Sequence, residues 1–320
     1  MSVEPYVIET DNLSKTYGDI LALNQLNLKV PNNSIFAFLG PNGAGKTTTI
    51  KLLLGLTRPT TGGAAVLGQN IAVDNDQIRR NVGYLAQHPK FYKKLTAREN
   101  MKFAAHLFFK GPEDKIDERI DYLLRVVDLE DKSDRSIEGF SGGEMQRLGI
   151  AQAQVNFPRL LILDEPAAGL DPEGREQVLK IMESLRAEAT IFYSTHILDD
   201  VQRVSDRVAI LNKGNLIAQA PIEELLAGTE GIAYTLILDG NTQPAYTRLS
   251  AEPWVTSISE KKERDKTHWV VNVNDDSMAK KRLLRTVLAD DGVDVLDFGL
   301  KQYELEEIFM RLVEDSDNGN

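Results

Sequence analysis

The stretch "GPNGAGKTT", Gly40 to Thr48, packs three glycines and a lysine into nine positions directly after the apolar run Ile35 to Leu39. It fits the pattern G-x-x-x-x-G-K-S/T, in which backbone amides curl round phosphates and glycines take conformations that a Cβ would block. On this reading Gly40, Pro41, Asn42, Gly43, Ala44 and Gly45 form the loop. Lys46 reaches the β- and γ-phosphates, the Thr47 hydroxyl ligates Mg²⁺, and Thr48 completes the binding stretch. A plain glycine-rich turn would need no particular neighbours. Here "SIFAFL" reads as a strand before the loop and "KTTTIKLLLGL" as a helix after it, with Ile50, Leu53 and Leu54 on one face. An anion held at that helix start also gains from unpaired amides and the helix dipole.

Three further apolar runs end in polar groups. "LLIL", Leu160 to Leu163, stops at Asp164 and Glu165; "TIFYS" stops beside His196; "VGYLA" stops at Gln87. In open parallel α/β sheets ligands collect beyond the carboxyl ends of the strands, so these residues are expected at one phosphate site. Asp164 and Glu165 are adjacent, and a strand continued through both would send their carboxylates to different sides. Asp164 is then assigned to Mg²⁺ through a ligand water, and Glu165 to the water that attacks the γ-phosphate. The plain alternative is a strand that ends in two solvated carboxylates.

Composition bounds the partners. With 320 residues, 42% hydrophobic and 27% charged, the chain is long enough for a substantial core and an accessory unit. No apolar stretch is long enough to span a bilayer, and "MSVEPYVIETDNL" lacks the basic-then-apolar pattern of a secretory signal, so a cytosolic location is expected. Zero cysteines exclude disulfides, thiolate metal sites and cysteine nucleophiles. A formal charge of -11 argues against nucleic acid as a partner, because such binding relies on clustered Lys and Arg.

"FSGGEMQR", Phe140 to Arg147, shortly before "LLILDEPAAGLD", looks like the ABC signature motif followed by the Walker B strand and the D-loop. Together with "GPNGAGKTT", Gln87 and the "STH" of Ser194 to His196, it makes the chain resemble an ABC transporter ATP-binding subunit from about Val7 to Leu226. The resemblance implies an α/β fold, a P-loop NTPase domain of ABC type with a helical subdomain, binding ATP and Mg²⁺ and hydrolysing ATP. It implies integral membrane permease subunits as partners, and through them a peripheral place on the cytoplasmic face of a membrane. A second ABC ATPase subunit, identical or different, is also implied, two such subunits sandwiching two ATP molecules between the phosphate loop of one and the signature of the other.

The same resemblance places Gln87 in the Mg²⁺ shell, His196 on the γ-phosphate, Tyr17 against adenine and Asp171 at the dimer seam. Read from the residues alone, Tyr17 also suits a core, and Asp171 suits a helix N-cap with Pro172 at the first helical position. Ser141, Gly142 and Gly143 read as a second helix start able to bind an anion, or as a plain N-cap. Phe140 and Glu144 stand where the family most often has Leu and Gln, Ala167 replaces Thr or Ser, and Gln152 stands where Arg is common. Glu144 sets a carboxylate close to the expected γ-phosphate, which weakens closure unless the side chain turns away or is paired.

The order of motifs suggests an ATPase domain over 1–228 with a helical subdomain at about 89–155. In that subdomain "LTARENMKFAAHLF" puts Ala104, Leu107 and Phe108 at helical spacing, where the family docks a permease coupling helix. Residues 229–314 read as a small α+β unit of strand, hairpin, helix and strand, and 315–320 as a disordered tail. The closing "YELEEIFMRLVED" resembles the last helix of drug- and polyether-export ATPases that work with ABC-2 type permeases, with Leu305, Ile308, Met310, Leu312 and Val313 as a docking or dimer face. An uptake-system ATPase, a non-transport ABC ATPase and a nucleotide-binding regulator are the alternatives; the second usually carries paired ABC domains or a long coiled-coil insertion.

Overall fold

The computed structural model of the chain describes residues 6–226, 232–263, 266–289, 292–301 and 305–318. A long first strand, β1 (Tyr6–Tyr17), turns through Gly18 and Asp19 into β2 (Ile20–Leu26), and β3 (Lys29–Pro31) pairs back on β1. The next strand, β4 (Ile35–Leu39), is an unbroken apolar run with every residue buried, as a strand covered on both faces requires. It feeds the glycine loop and α1 (Lys46–Leu53), where Ile50, Leu53 and Leu54 are all buried. β5 (Thr61–Val66) and β6 (Gln69–Asn70) complete an antiparallel sheet ordered β2-β1-β5-β6, with β3 beside β1.

After α2 (Asn75–Asn81) and β7 (Val82–Leu85) the chain turns helical: α3 (Ala97–Ala105), α4 (Glu113–Val126) and α5 (Gly142–Ala153). It then alternates through β8 (Leu160–Asp164), α6 (Pro172–Leu185), β9 (Thr190–Thr195), α7 (Leu198–Val204) and β10 (Arg207–Asn212), closing with the hairpin strand β11 (Asn215–Pro221) and the short α8 (Ile222–Leu226). The second sheet runs β11-β10-β4-β9-β8-β7, parallel throughout except for the β10–β11 hairpin. Its register sets Leu39 beside Thr195 and Asp164 beside Ser194, so the carboxyl ends of β4, β8 and β9 lie level. Phe192 packs against Phe36 and Phe38 at ring separations of 5.9 and 5.4 Å beneath those ends.

A second, separate core follows. β12 (Ile232–Gly240), α9 (Gln243–Ser250), β13 (Val255–Glu263), β14 (Lys266–Val273), α10 (Asp276–Val287) and β15 (Val293–Leu300) form an antiparallel sheet ordered β13-β14-β12-β15 with its own buried cluster around Trp254, Trp269, Leu236 and Leu283. The last element is α11 (Leu305–Asn318). The chain divides into two compact units, Met1–Ile222 with Leu312–Asn320, and Glu223–Arg311. The expected boundary at 228 falls outside the described residues. No helix among the described residues is long and apolar enough to cross a membrane.

The α/β expectation stands, with local corrections. α3 ends at Ala105 and the Leu107 and Phe108 amides bond three residues back, so the two side chains stand exposed, although they line the same groove as buried Ala104. In α11, Leu305 is buried but Met310 is exposed, because five residues turn a helix by about 140° and carry Met310 to the opposite side. The helix also runs to Asn318, into the stretch expected to be a disordered tail, since no glycine or proline interrupts it before Gly319. Residues 319–320 lie outside the described residues.

Candidate functional site

The loop after β4 is shaped by what its glycines leave out. Gly43 and Gly45 have φ of +82° and +108°, in the region that favours glycine. A Cβ on Gly45 would lie 2.6 Å from the Ala22 carbonyl oxygen of β2, and one on Gly40 would lie 2.3 Å from the Leu211 carbonyl oxygen of β10. The missing side chains therefore make room for backbone on both flanks. Gly45 caps α1 without any side-chain hydrogen bond, and the first turn of the helix holds no acid. Lys46 is buried; its Nζ donates to the carbonyls of Gly40 (2.6 Å) and Pro41 (3.2 Å) and pairs with Glu165 Oε1 at 3.0 Å.

The ends of β8 and β9 supply the facing wall. Asp164 and Glu165 are both buried, at 2% and 5% exposure, so neither is a solvated strand end. Thr47 Oγ1 donates to Asp164 Oδ2 at 3.0 Å, and Ser194 Oγ donates to Asp164 Oδ1 at 2.6 Å. Glu165 Oε2 meets His196 Nδ1 at 2.8 Å. The two carboxylates do part ways, but not by strand alternation as expected: Glu165 has φ +51°, which ends the strand at Asp164 and swings the next side chain toward Lys46 and His196. Tyr84, on neighbouring β7, has its hydroxyl pKa raised by burial and by the Asp164 charge.

A hydroxyl and a carboxylate of hard oxygens, Thr47 and Asp164, suit Mg²⁺, which takes few protein ligands and draws the rest from phosphate and water. Among the described residues no group of three His, Cys, Asp or Glu could hold a metal by itself. Gln87 stands exposed two residues beyond β7. Tyr17, at the β1–β2 turn, is 45% exposed with the Lys15 ammonium 4.8 Å above its ring, which excludes the core alternative.

The remaining residues of interest gather elsewhere. Ser141, Gly142, Gly143 and Glu144 share a cleft of about 330 Å³ with Gly169 and Asp171, and among the described residues no member of the Gly40–Thr48 loop lines it. Ser141 is the N-cap of α5 in a closed box: its Oγ accepts from the Glu144 N–H at 3.2 Å, and Glu144 Oε2 accepts from the Ser141 N–H at 2.7 Å. The other Glu144 oxygen takes Lys132 Nζ. Burial opposes the charge on Glu144, yet the bonds from Lys132 and Ser141 outweigh it and hold the carboxyl below its ordinary pKa of 4.5. Asp171 caps α6, accepting from the Gly174 N–H at 3.1 Å, with Pro172 in the first turn.

Sequence reasoning missed Ser194. It lay inside the quoted "STH" without a role, and its signal was register: a polar residue at the end of a buried strand, beside Asp164 of the neighbouring strand.

A family model described as ABC transporter matches residues 23–168. The bacitracin transport ATP-binding protein of Bacillus licheniformis is 33% identical over 309 residues, covering 96% of this chain and 97% of its own length. The structure of cbiO1 from Clostridium perfringens, part of the ABC transporter complex cbiONQ, has 30% identity and a TM-score of 0.65 over 70% of this chain and 92% of its own. The dimeric ATP-binding cassette MJ0796, in a post-hydrolysis state bound to ADP and Pi, has 25% identity and a TM-score of 0.61 over 67% of this chain and 98% of its own.

Proposed function

The chain belongs to the ABC transporter family as an ATP-binding, ATP-hydrolysing subunit, and from that premise we propose that it pairs with a second such subunit, closes around ATP and Mg²⁺, and drives separate membrane permease subunits as an exporter of ABC-2 type. The observation that carries the reading is one cluster from the start of α1 and the ends of β8 and β9: Lys46, Glu165 and His196 in one set of contacts and Thr47 with Asp164 in the other, the two joined through Ser194. The signature residues Ser141, Gly142 and Gly143 line a different cleft, which suits a nucleotide held by another subunit.

In this mechanism the phosphates lie in the Gly40–Thr48 loop, on the open amides at the start of α1. Lys46 exchanges Glu165 for the β- and γ-phosphates. Glu165, released on that side, accepts a proton from the attacking water and aligns it, while His196 contacts the γ-phosphate. Thr47 and Asp164, with Gln87, would hold Mg²⁺, which neutralises charge on the β- and γ-oxygens when bound. Tyr17 offers a ring face to the adenine. Across the seam, Ser141, the amides of Gly142 and Gly143, and Asp171 complete the site of the partner subunit.

For the permease, a groove of about 390 Å³ is lined by Leu56, Tyr84, Pro89, Ala104, Leu107 and Phe108, and it leaves Leu107 72% exposed. Engagement there would hold the subunit on the cytoplasmic face of the membrane. The drug-export side of the reading is supported by the bacitracin transport relative, whose match extends through the second unit of this chain.

Light scattering in Mg²⁺-ATP, comparing wild type with Glu165→Gln, tests the closure. A dimer that accumulates only in the variant supports Glu165 as the hydrolytic carboxylate and the chain as its own partner. Two monomeric samples that nonetheless bind ATP would overturn the homodimer.

A further inference from the structure

We propose that Ser194 is a positioning residue for ATP hydrolysis: one buried hydroxyl fixes the metal-side carboxylate of Asp164 and the backbone turn that aims Glu165. The inference rests on the roles given above to Asp164 and Glu165.

Ser194 is fully buried, at 0% exposure, near the end of β9 and directly beside Asp164 in the parallel register. Its Oγ is 2.6 Å from Asp164 Oδ1 and 3.0 Å from the Glu165 backbone nitrogen. Bond polarity leaves a single arrangement. The Glu165 N–H can only donate and an ionised carboxylate can only accept, so the one seryl proton goes to Asp164 and a seryl lone pair receives the amide.

Each half of this arrangement has a consequence. Asp164 is gripped at both oxygens, Oδ1 by Ser194 and Oδ2 by Thr47 at 3.0 Å, so its carboxylate plane cannot rotate freely. Thr47 is the other residue suited to the metal, and Ser194 therefore holds the carboxylate facing it. Glu165, in turn, sits at φ +51°, a conformation a glutamate adopts only when its surroundings impose it. Its amide is held by the Ser194 hydroxyl and, at 3.2 Å, by the Ser194 carbonyl. The adjacent hydroxyl does not duplicate this work: Thr195 Oγ1 accepts from the Ile197 N–H at 3.0 Å. At the other end of the strand Thr190 is also buried, but its Oγ1 accepts from the Asn33 N–H at 2.9 Å, and between the two ends Ile191, Phe192 and Tyr193 are buried core, so Ser194 is the hydroxyl of this strand that reaches Asp164 and Glu165.

The experiment uses the full chain carrying Ser194→Ala, Ser194→Thr or Asp164→Asn. Mn²⁺ affinity in the presence of ATP is read by electron paramagnetic resonance, nucleotide affinity by fluorescent ATP in EDTA, and kcat and KM at saturating Mg²⁺. Losing a hydrogen bond to a charged group should cost Ser194→Ala about tenfold or more in Mn²⁺ affinity and a similar factor in kcat. Nucleotide affinity without metal should stay within about twofold, since Ser194 does not touch the phosphate loop. Ser194→Thr, which keeps the hydroxyl, should recover most of the loss. Equal impairment of the alanine and threonine variants would overturn the proposal in favour of packing, and so would an unchanged Ser194→Ala. Should the alanine variant not fold, Ser194→Cys, similar in size but a weak donor, replaces it with the same expected loss. If Asp164→Asn leaves Mn²⁺ affinity intact, the role of Asp164 itself falls and Ser194 with it; loss in Asp164→Asn beside an unaffected Ser194→Ala removes Ser194 alone.

Discussion

Two helices of this chain begin beside glycines and treat their first amides in opposite ways. At α1 the cap is Gly45, with no side-chain acceptor and no acid in the first turn. At α5 the cap is Ser141, locked in reciprocal hydrogen bonds with Glu144, whose second oxygen is bound by Lys132. Glycine in place of a Ser, Thr, Asn or Asp cap costs only about a few tenths of a kcal/mol, so α1 gives up little local stability and keeps its donors open for an anion. The α5 start is stable by itself, and its carboxylate is paired, so an approaching phosphate would meet the Gly142 and Gly143 amides beside a neutralised ion pair. Glycine at a helix start thus does not by itself tell a loop that wraps its own nucleotide from one that meets a partner's. What distinguishes the two is whether the first turn supplies its own anion.

The contrast can be attacked at several strengths. The largest effect is expected from Lys46→Ala, which removes the cation at α1: ATP affinity of the isolated chain, measured by calorimetry, should fall by roughly ten- to a hundredfold, the range for charged hydrogen bonds. Gly45→Ser would give α1 the kind of cap that α5 has. Its Cβ would press on the Ala22 carbonyl and its φ of +108° suits no serine, so a stability loss of about 1–3 kcal/mol in urea unfolding should accompany weakened ATP binding. Ser141→Ala opens the α5 box, and should cost about 1 kcal/mol of stability while leaving ATP affinity of the isolated chain unchanged. An altered monomer affinity would mean that the two helix starts are not independent.

The smallest effect is electrostatic. Because the folded-state pKa of Glu144 is depressed, its stabilisation is complete above the ordinary value of 4.5 and is lost as pH falls through the lower folded value. Between pH 5 and pH 3 the wild type should therefore lose slightly more stability than Glu144→Gln, on the order of a few tenths of a kcal/mol given that Lys132 is 40% exposed. Identical acid profiles for the two proteins would show that the ion pair contributes nothing.

Legibility followed the length of the physical signal. The runs "IFAFL" and "LLILD" are buried throughout, and a continuous apolar run bounded by glycine or acid can be read without knowing its partners. The antiparallel sheet of β1, β2, β3, β5 and β6 went unread, since Asn12 at φ +46° and the register shifts near Leu13 and Lys15 break the period of two. The helix α9 escaped for a different reason: it is eight residues long, and Pro244 in its first turn reads as a loop. At the site, Lys46 was visible in the glycine-loop pattern, and Asp164, Glu165 and His196 as strand ends. The backbone turn at Glu165 and the hydroxyl bridge from Ser194 were not, because both depend on two strands lying side by side.

The central position of β4 also governs when the site can exist during synthesis. β4 leaves the ribosome early, but its neighbours are β9 and β10, and the carbonyls that fix and wall Gly40 belong to Thr195 and Leu211. At about 5–20 residues per second, translation needs on the order of ten seconds or longer to pass from Leu39 to Asn212. Through that interval "IFAFL" has no sheet to join and the glycine loop has no walls. Nascent chains shorter than that should bind chaperones better than they bind ATP, and nucleotide can stabilise the first unit only after most of it has been made.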